Sequence, residues 1–382
     1  MTRHARGEGD DAAGRSTIPS GLIAAAELLG CLVPESRHPR FALNSINCRG
    51  REVAVEALDL LRKPFCTLKM FGHEAVADNS GVLIVAPLSG QYATLLRDTV
   101  AGLLATHRVY ITDWIDARQV PLSAGSFDLD ENISYIIEFL RFLPPKLHVL
   151  AVCQSAVPAL AAIALLASEG TPDQPRSLIL MGGLIDTRIN PTRIDRWAKT
   201  PAFRWLEQSV LAIVPPGFAG YLRPVYPAHI QRLALLAYIG RHVEYGNDRP
   251  WQLRLYGDAT LAELRFCREL LTLMDVPAEL FLSNIRAVLQ DHDLPRGGMA
   301  WEGQEVKPAA IRKTALMTIE GEFDDISGRG QTFAAHELCR SIPSDKRRHH
   351  LQRGVGHFGM YAGRSWFTKV LPHVREFIQA QS

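Results

Sequence analysis

The stretch His148-Val149-Leu150-Ala151-Val152-Cys153-Gln154-Ser155-Ala156-Val157-Pro158-Ala159-Leu160-Ala161-Ala162 decides the fold. A mostly apolar run leads straight into Cys153, and small and apolar residues then take up helical spacing. The pattern predicts a strand, a sharp turn and a helix, with the cysteine on the turn. A nucleophile elbow of this kind needs small residues two before and two after the nucleophile, because larger side chains would collide with it or with the strand. Ala151 and Ser155 meet that need, although neither is the usual glycine. Pro158 falls in the first helical turn, where a missing N–H removes little. An isolated cysteine can equally be a small buried hydrophobe, so a catalytic reading requires partners elsewhere in the chain.

Working outward from the elbow, residues 81–87 and 108–114 form apolar strand-like runs, and helical patterns follow them at about 93–106 and 130–143. Downstream, residues 177–183 and 313–321 read as two more buried strands. Alternating runs around 51–55 and 64–71 suggest two antiparallel strands at a sheet edge. The sum is an α/β fold, an open, doubly wound and mostly parallel sheet whose ligands bind at the carboxyl ends of its strands. Between about 191 and 310 the pattern turns helical and aromatic, with Trp197, Phe203, Trp205, Tyr221, Tyr226, Tyr238, Trp251 and Tyr256. This predicts a helical cap over the active face, dividing the core into 44–190 and 311–382. Residues 1–43 are expected to be a disordered tail and an N-terminal helix.

Of the 382 residues, 47% are apolar and the formal net charge is +2, so a large core is available and nothing argues for nucleic acid as a partner. Six scattered cysteines (31, 48, 66, 153, 267 and 339) include no Cys-x-x-Cys pair, which points to free thiols in a reducing, cytoplasmic compartment. The apolar stretch 22–33 is short and contains Glu27, arguing against a signal peptide or membrane span.

A cysteine nucleophile needs a base oriented by a carboxylate, in the order nucleophile, acid, histidine. The turn after residues 313–321 carries Glu322, Asp324 and Asp325. Asp324 is preferred because it lies three residues after Gly321, with Asp325 second and Glu322 third. His357, in the glycine-rich loop before the terminal helix, is the expected base, and His349 and His350 fall on the preceding strand. The N–H of Gln154 is the expected first oxyanion donor, and the second should come from Leu88, Ser89 or Gly90. Asp291-His292-Asp293 reads as a solvated loop rather than a metal site. Gly182-Gly183 and Gly297-Gly298 lack the spacing of a nucleotide loop, so no cofactor is expected.

Several of these motifs together resemble the intracellular polyhydroxyalkanoate (polyhydroxybutyrate) depolymerases, α/β-hydrolases with a cysteine in place of the usual serine. They are Ala151-Val152-Cys153-Gln154, Met181-Gly182-Gly183 with Ile185-Asp186, and Glu320-Gly321-Glu322 with Asp324-Asp325-Ile326-Ser327-Gly328. Gly330-Gln331-Thr332, Gly356-His357 and Lys63-Pro64-Phe65-Cys66 complete the set. The resemblance covers roughly residue 45 to the end. One difference is visible: family members carry proline after Cys-Gln, where this chain has Ser155. The resemblance implies a Cys153, Asp324 and His357 triad acting on amorphous polyester of storage granules or its oligomers, with the granule as partner. The competing readings are a synthase-like acyltransferase or thioesterase, and a non-catalytic granule-surface binding protein.

Overall fold

The computed structural model describes residues 38–48, 50–74, 76, 81–145, 147–244 and 261–381. Residues 1–37 of the expected tail and helix, Trp251 and Tyr256 lie outside them, whereas residues 38–43 are described and Phe41 is buried in the core. Eight strands form the central sheet. They are β1 (Glu56–Arg62), β2 (Cys66–Gly72), β3 (Gly81–Val85), β4 (Arg108–Trp114), β5 (His148–Val152), β6 (Ser177–Met181), β7 (Ala315–Gly321) and β8 (Arg347–Gln352). Their spatial order is β8-β7-β6-β5-β3-β4-β2-β1. Strands β3 to β8 run parallel, whereas β2 is antiparallel to both β4 and β1.

Every residue of β3, β5, β6 and β7 is buried, which is why these strands read as continuous apolar runs. The central register sets Ala151 of β5 opposite Val85 of β3 and Leu180 of β6, bringing the ends of three strands together beside Cys153. The edge differs from expectation. Residues 51–54 pair with Ser45–Cys48 in a separate ribbon, and the true edge strand is β1. Most of β1 is exposed and carries Glu56, Asp59 and Arg62, so it lacks the apolar signal that marks a covered strand.

Helices α1 (Arg97–Leu104), α2 (Leu129–Phe142) and α3 (Ala156–Glu169) join the parallel strands. Asp128 caps α2 by accepting from the Glu131 N–H, and Asp130 and Glu131 suit the positive end of that helix. Helix α3 is buried continuously from Ala156 to Leu166, as expected of a helix apolar on all sides, and Gly170 ends it in a left-handed conformation.

The segment between β6 and β7 is only partly helical. It holds α4 (Ala228–Glu244), α5 (Leu261–Leu271) and shorter helices at Arg193–Trp197, Pro201–Ser209 and Ala278–Asn284. It also holds a small antiparallel sheet of Ala212–Ile213, Pro224–Tyr226 and Val276–Pro277, whose strands are too short for any sequence period to show. Buried charges fasten it to the loop after β4. Asp275 accepts both Arg118 bonds, at 3.1 and 2.9 Å, and the guanidinium of Arg223 donates to the carbonyls of Val120, Pro121 and Gly125. His292 is not a solvated loop residue. It is buried in a left-handed conformation against Thr187, within hydrogen-bond distance of the Thr187 hydroxyl and the Val288 carbonyl. Helix α6 (Leu371–Gln379) closes the chain, and among the described residues no helix is long and apolar enough to cross a membrane.

Candidate active site

Cys153 leaves β5 with φ of +56°, one of the few non-glycine residues in the left-handed region. That conformation costs an L-residue about 1–2 kcal/mol, so the surroundings must impose it. Ser155 is one fastening. Its hydroxyl accepts from the Val152 N–H at 2.9 Å and lies 2.7 Å from the Val85 carbonyl on β3, to which it donates. Proline at this position could make neither bond. A second is close packing by Gly183, where an added Cβ would lie 2.4 Å from the Ala156 Cβ and 3.8 Å from the Cys153 carbonyl. Gly182 is in the left-handed region at φ +59°, and a Cβ there would come within 3.0 Å of the His357 ring. The Gly182-Gly183 pair, uninformative as a nucleotide motif, is thus what lets the end of β6 close on the elbow.

The three acids after β7 have three different partners. Asp324 Oδ1 accepts from the N–H groups of Ile326 and Ser327, both at 2.9 Å, and Oδ2 accepts from His357 Nδ1 at 2.7 Å. Asp325 accepts from the Tyr238 hydroxyl of α4 at 2.7 Å, and Glu322 accepts from the Gly354 N–H at 2.8 Å. Gly321 is required where the turn begins, because a Cβ there would lie 2.7 Å from the Val355 carbonyl of the histidine loop. His349 and His350 lie on β8, and His349 contacts the Thr318 hydroxyl rather than the cysteine.

The Asp324 and His357 side chains are almost wholly shielded from solvent. Burial pushes the imidazole towards its neutral form. The charges of Asp324 and Cys153, with a hydrogen bond to each, outweigh burial and hold His357 well above the ordinary imidazole range. With Nδ1 on Asp324, Nε2 is the nitrogen left for Cys153. The structure therefore brings Cys153, His357 and Asp324 into one connected array.

Aromatic residues wall this array. The Tyr361 ring stands edge-on to His357 at 5.8 Å, and its phenol is pushed up by burial and by the charges of Cys153 and Asp324. Phe358 meets Tyr361, Tyr238 of α4 and Phe266 of α5 at ring separations of 6.0–6.4 Å. Tyr361 escaped the sequence reading, and its only signal there is its position four residues after His357.

The loop after β3 is pinned at its start. The Ala86 N–H donates to Thr112 Oγ1 at 2.9 Å, and Trp114 Nε1 donates to the Ala86 carbonyl at 2.8 Å. Beyond it Leu88 is buried, Ser89 is exposed and donates its hydroxyl to Gln91, and the Gly90 carbonyl accepts from the Met274 N–H. Gln154 follows Cys153 in the turn, and its Oε1 is buried with no hydrogen-bond partner. Among the described residues no cluster of three or more His, Cys, Asp or Glu could hold a metal ion.

The bromoperoxidase of Bacillus anthracis superimposes on 84% of this chain and all of its own with a TM-score of 0.54 at 12% identity, a likeness in fold alone. A thermophilic esterase from Thermogutta terrifontis covers 88% of this chain and 97% of its own at 14% identity, with a TM-score of 0.46. The carboxylesterase CesB of Bacillus subtilis covers 94% and 99% at 12% identity, with a TM-score of 0.47. None of the curated proteins matches the chain in sequence. The family model described as PHB de-polymerase C-terminus matches residues 182–382, more than half of the chain and the part that contains Asp324 and His357. The chain belongs to the PHB de-polymerase C-terminus family and is a carboxylic ester hydrolase of the α/β-hydrolase fold.

Proposed function

We propose that this enzyme cleaves the ester bonds of amorphous polyhydroxybutyrate or a related polyhydroxyalkanoate, with Cys153 as nucleophile, His357 as general base and acid, and Asp324 as its orienting carboxylate. The observation that carries the reading is Cys153 in its left-handed turn, charge-coupled to a buried His357 whose other nitrogen is bonded to Asp324, in a chain of this family.

In the first half-reaction His357 takes the thiol proton and the sulfur attacks the ester carbonyl carbon. The carbonyl oxygen becomes an oxyanion facing the Gln154 N–H and an N–H of the Leu88–Ser89 loop. Collapse breaks the carbon–oxygen bond, and the departing alkoxide takes the proton from His357. This leaves a thioester on Cys153 and a polymer end with a free hydroxyl. In the second half His357 takes a proton from water, the hydroxide displaces the sulfur, and the proton returns to the thiolate. The products are a hydroxy acid or oligomer and the free enzyme. The insertion at 191–310 acts as the cap, with Tyr238, Phe266 and Phe358 forming an apolar approach suited to a polyester. The site of action is then the cytoplasmic storage granule.

The test is 3-hydroxybutyrate release from amorphous polyhydroxybutyrate by the purified protein, beside Cys153→Ala and Cys153→Ser. Release by the wild type that vanishes with alanine supports both substrate and nucleophile. Absence of release, with free thiol liberated from hydroxybutyryl-CoA, overturns the depolymerase reading in favour of an acyltransferase or thioesterase.

A further inference from the structure

The segment that leaves the carboxyl end of β6 exposes several large apolar residues. Ile194 and Trp197 on helix Arg193–Trp197 and Trp205 on helix Pro201–Ser209 are 44%, 46% and 72% exposed, and Ile189 just before them is 37% exposed. Isolated exposed apolar residues need no explanation, but four large ones within 17 residues do. Part of this apolar surface is firmly backed. Trp197 stands edge-on to Phe203 at 4.7 Å, Phe203 packs with Ala198 and Ile285, and Gln290 Nε2 donates to the Ala198 carbonyl.

It is also tied to the site. Asp195 caps its own helix through Thr192, and its Oδ2 accepts from Gln331 Nε2 at 2.8 Å. Gln331 lies in the loop that carries Asp324, and the adjacent Thr332 hydroxyl donates to the carbonyl of Gly183, the glycine packed on the elbow.

The charged residues of this segment divide by sign. Arg193, Arg196, Lys199 and Arg204 are exposed, whereas Asp195 is buried and Glu207 is half-buried and accepts from Gln290. The surface thus offers apolar faces and hydrogen-bond donors, with its acids turned inward. A polyester of hydroxyalkanoate units offers the complement: aliphatic carbon and ester carbonyl acceptors, with a donor only at a chain end. Arg and Lys stems also cover apolar surface while their heads reach outward.

We infer that Ile194, Trp197 and Trp205 form one ridge which, with a rim of four cations, is the face by which the enzyme docks on the surface of solid polyester. The inference rests on the substrate class proposed above and adds where the polymer is held. Docking there places the active face against the polymer while the site works on one chain drawn from it.

The experiment uses the full chain and protein-free amorphous polyhydroxybutyrate particles, with p-nitrophenyl butyrate as a soluble ester. Trp197→Ala/Trp205→Ala should lower the particle-bound fraction and particle hydrolysis at least about tenfold, with kcat/KM on the soluble ester within about twofold of wild type. Arg196→Gln/Arg204→Gln, which leaves the apolar residues intact, should lower particle binding about threefold with the same soluble-ester activity. Equal particle binding and hydrolysis by wild type and the tryptophan variant would overturn the docking face and leave the hydrolase reading standing. Loss of soluble-ester turnover in parallel with binding would overturn it as well, by making the ridge part of the site's own framework. Ridge-dependent binding to anionic phospholipid vesicles instead of polyester, or ridge-dependent self-association in sedimentation velocity, would replace the proposed partner. No hydroxy-acid release by the wild type would overturn both proposals.

Discussion

Along α3, residues Ala156 to Leu166 are all buried and none carries a charge, whereas the insertion buries Arg223, Asp195 and Asp275 and leaves Trp205 largely in solvent. Both regions are folded, but different forces hold them. The central layers rest on apolar burial, which is distributed, insensitive to charge and responsive to volume. The insertion is fastened to the loop after β4 by a few ionised groups, each of which satisfies several buried partners. A lost methylene should therefore weaken the first region a little everywhere, whereas a lost charge should release the second at one place.

The adjacent carboxylates Asp324 and Asp325 put this difference to the most severe test, since one faces the core array and the other holds the insertion. Asp324→Asn should lower kcat on a soluble ester by about 10³–10⁴, the loss expected when an orienting carboxylate is neutralised. Asp325→Asn should stay within about threefold, because the change falls on the bond from Tyr238 of the insertion and leaves the Asp324–His357 bond in place. Comparable losses from the two would erase the distinction.

Stability measurements probe it next. Leu160→Ala should cost about 3 kcal/mol in denaturant unfolding and shift the whole transition. Arg223→Met strands the carbonyls of Val120, Pro121 and Gly125 and should cost about 2–3 kcal/mol. Its loss should appear as faster hydrogen exchange confined to the amides of Ala212, Ile213, Val225, Tyr226 and Val276 in the small sheet and of the loop after β4. Uniform exchange changes in both variants would mean that core and insertion unfold as one unit.

A smaller effect is expected from Gly183→Ala, whose Cβ would press on Ala156 beneath the elbow. It should cost about 1–2 kcal/mol and lower kcat roughly tenfold, because the helix carrying the Gln154 N–H must shift.

The subtlest test is pH. With the folded-state imidazole of His357 held above its ordinary range, the protonated ring favours the folded state. That contribution is complete below the unfolded value near ~6.5 and fades as pH rises through the folded value. In Asp324→Asn the largest opposing charge is gone, so the slope of unfolding free energy against pH above neutrality should flatten. An unchanged slope would show that Asp324 does not support the protonated ring.

Strands β3 to β7 were legible in the sequence because strands covered on both faces leave uninterrupted apolar runs. The turns after β5, β7 and β8 could be located because chain order and glycines mark them. Edge strand β1 was not legible, since it lies largely in solvent and its Glu56, Asp59 and Arg62 break the pattern. The small sheet of the insertion was not legible either, since two or three residues carry no period. The site followed the same division. Cys153, Asp324 and His357 could be named from their places after particular strands, and the structure brings them together. The Gly182-Gly183 pair and the Ser155 hydroxyl make close approaches across the sheet that no spacing along the chain records, and Tyr361 is marked only by lying four residues after His357. His292 reads as part of a solvated loop because neighbours in so short a run alternate in direction and rarely enclose an ion, whereas its backbone is left-handed and its ring is buried against Thr187.

The hydroxyl of Ser155 joins the turn of β5 to the carbonyl of Val85, and the next residue, Ala86, begins the loop expected to supply the second oxyanion donor. Beside the fastenings each has of its own, Cys153 and that loop therefore share one anchor. A displacement that moves the ends of β3 and β5 together is common to both and in that measure cancels in their separation. Like a differential gauge, the elbow ignores what moves both arms and responds only to what moves one. The spacing between the Cys153 sulfur and that loop is thus partly insulated from motions that carry both strands.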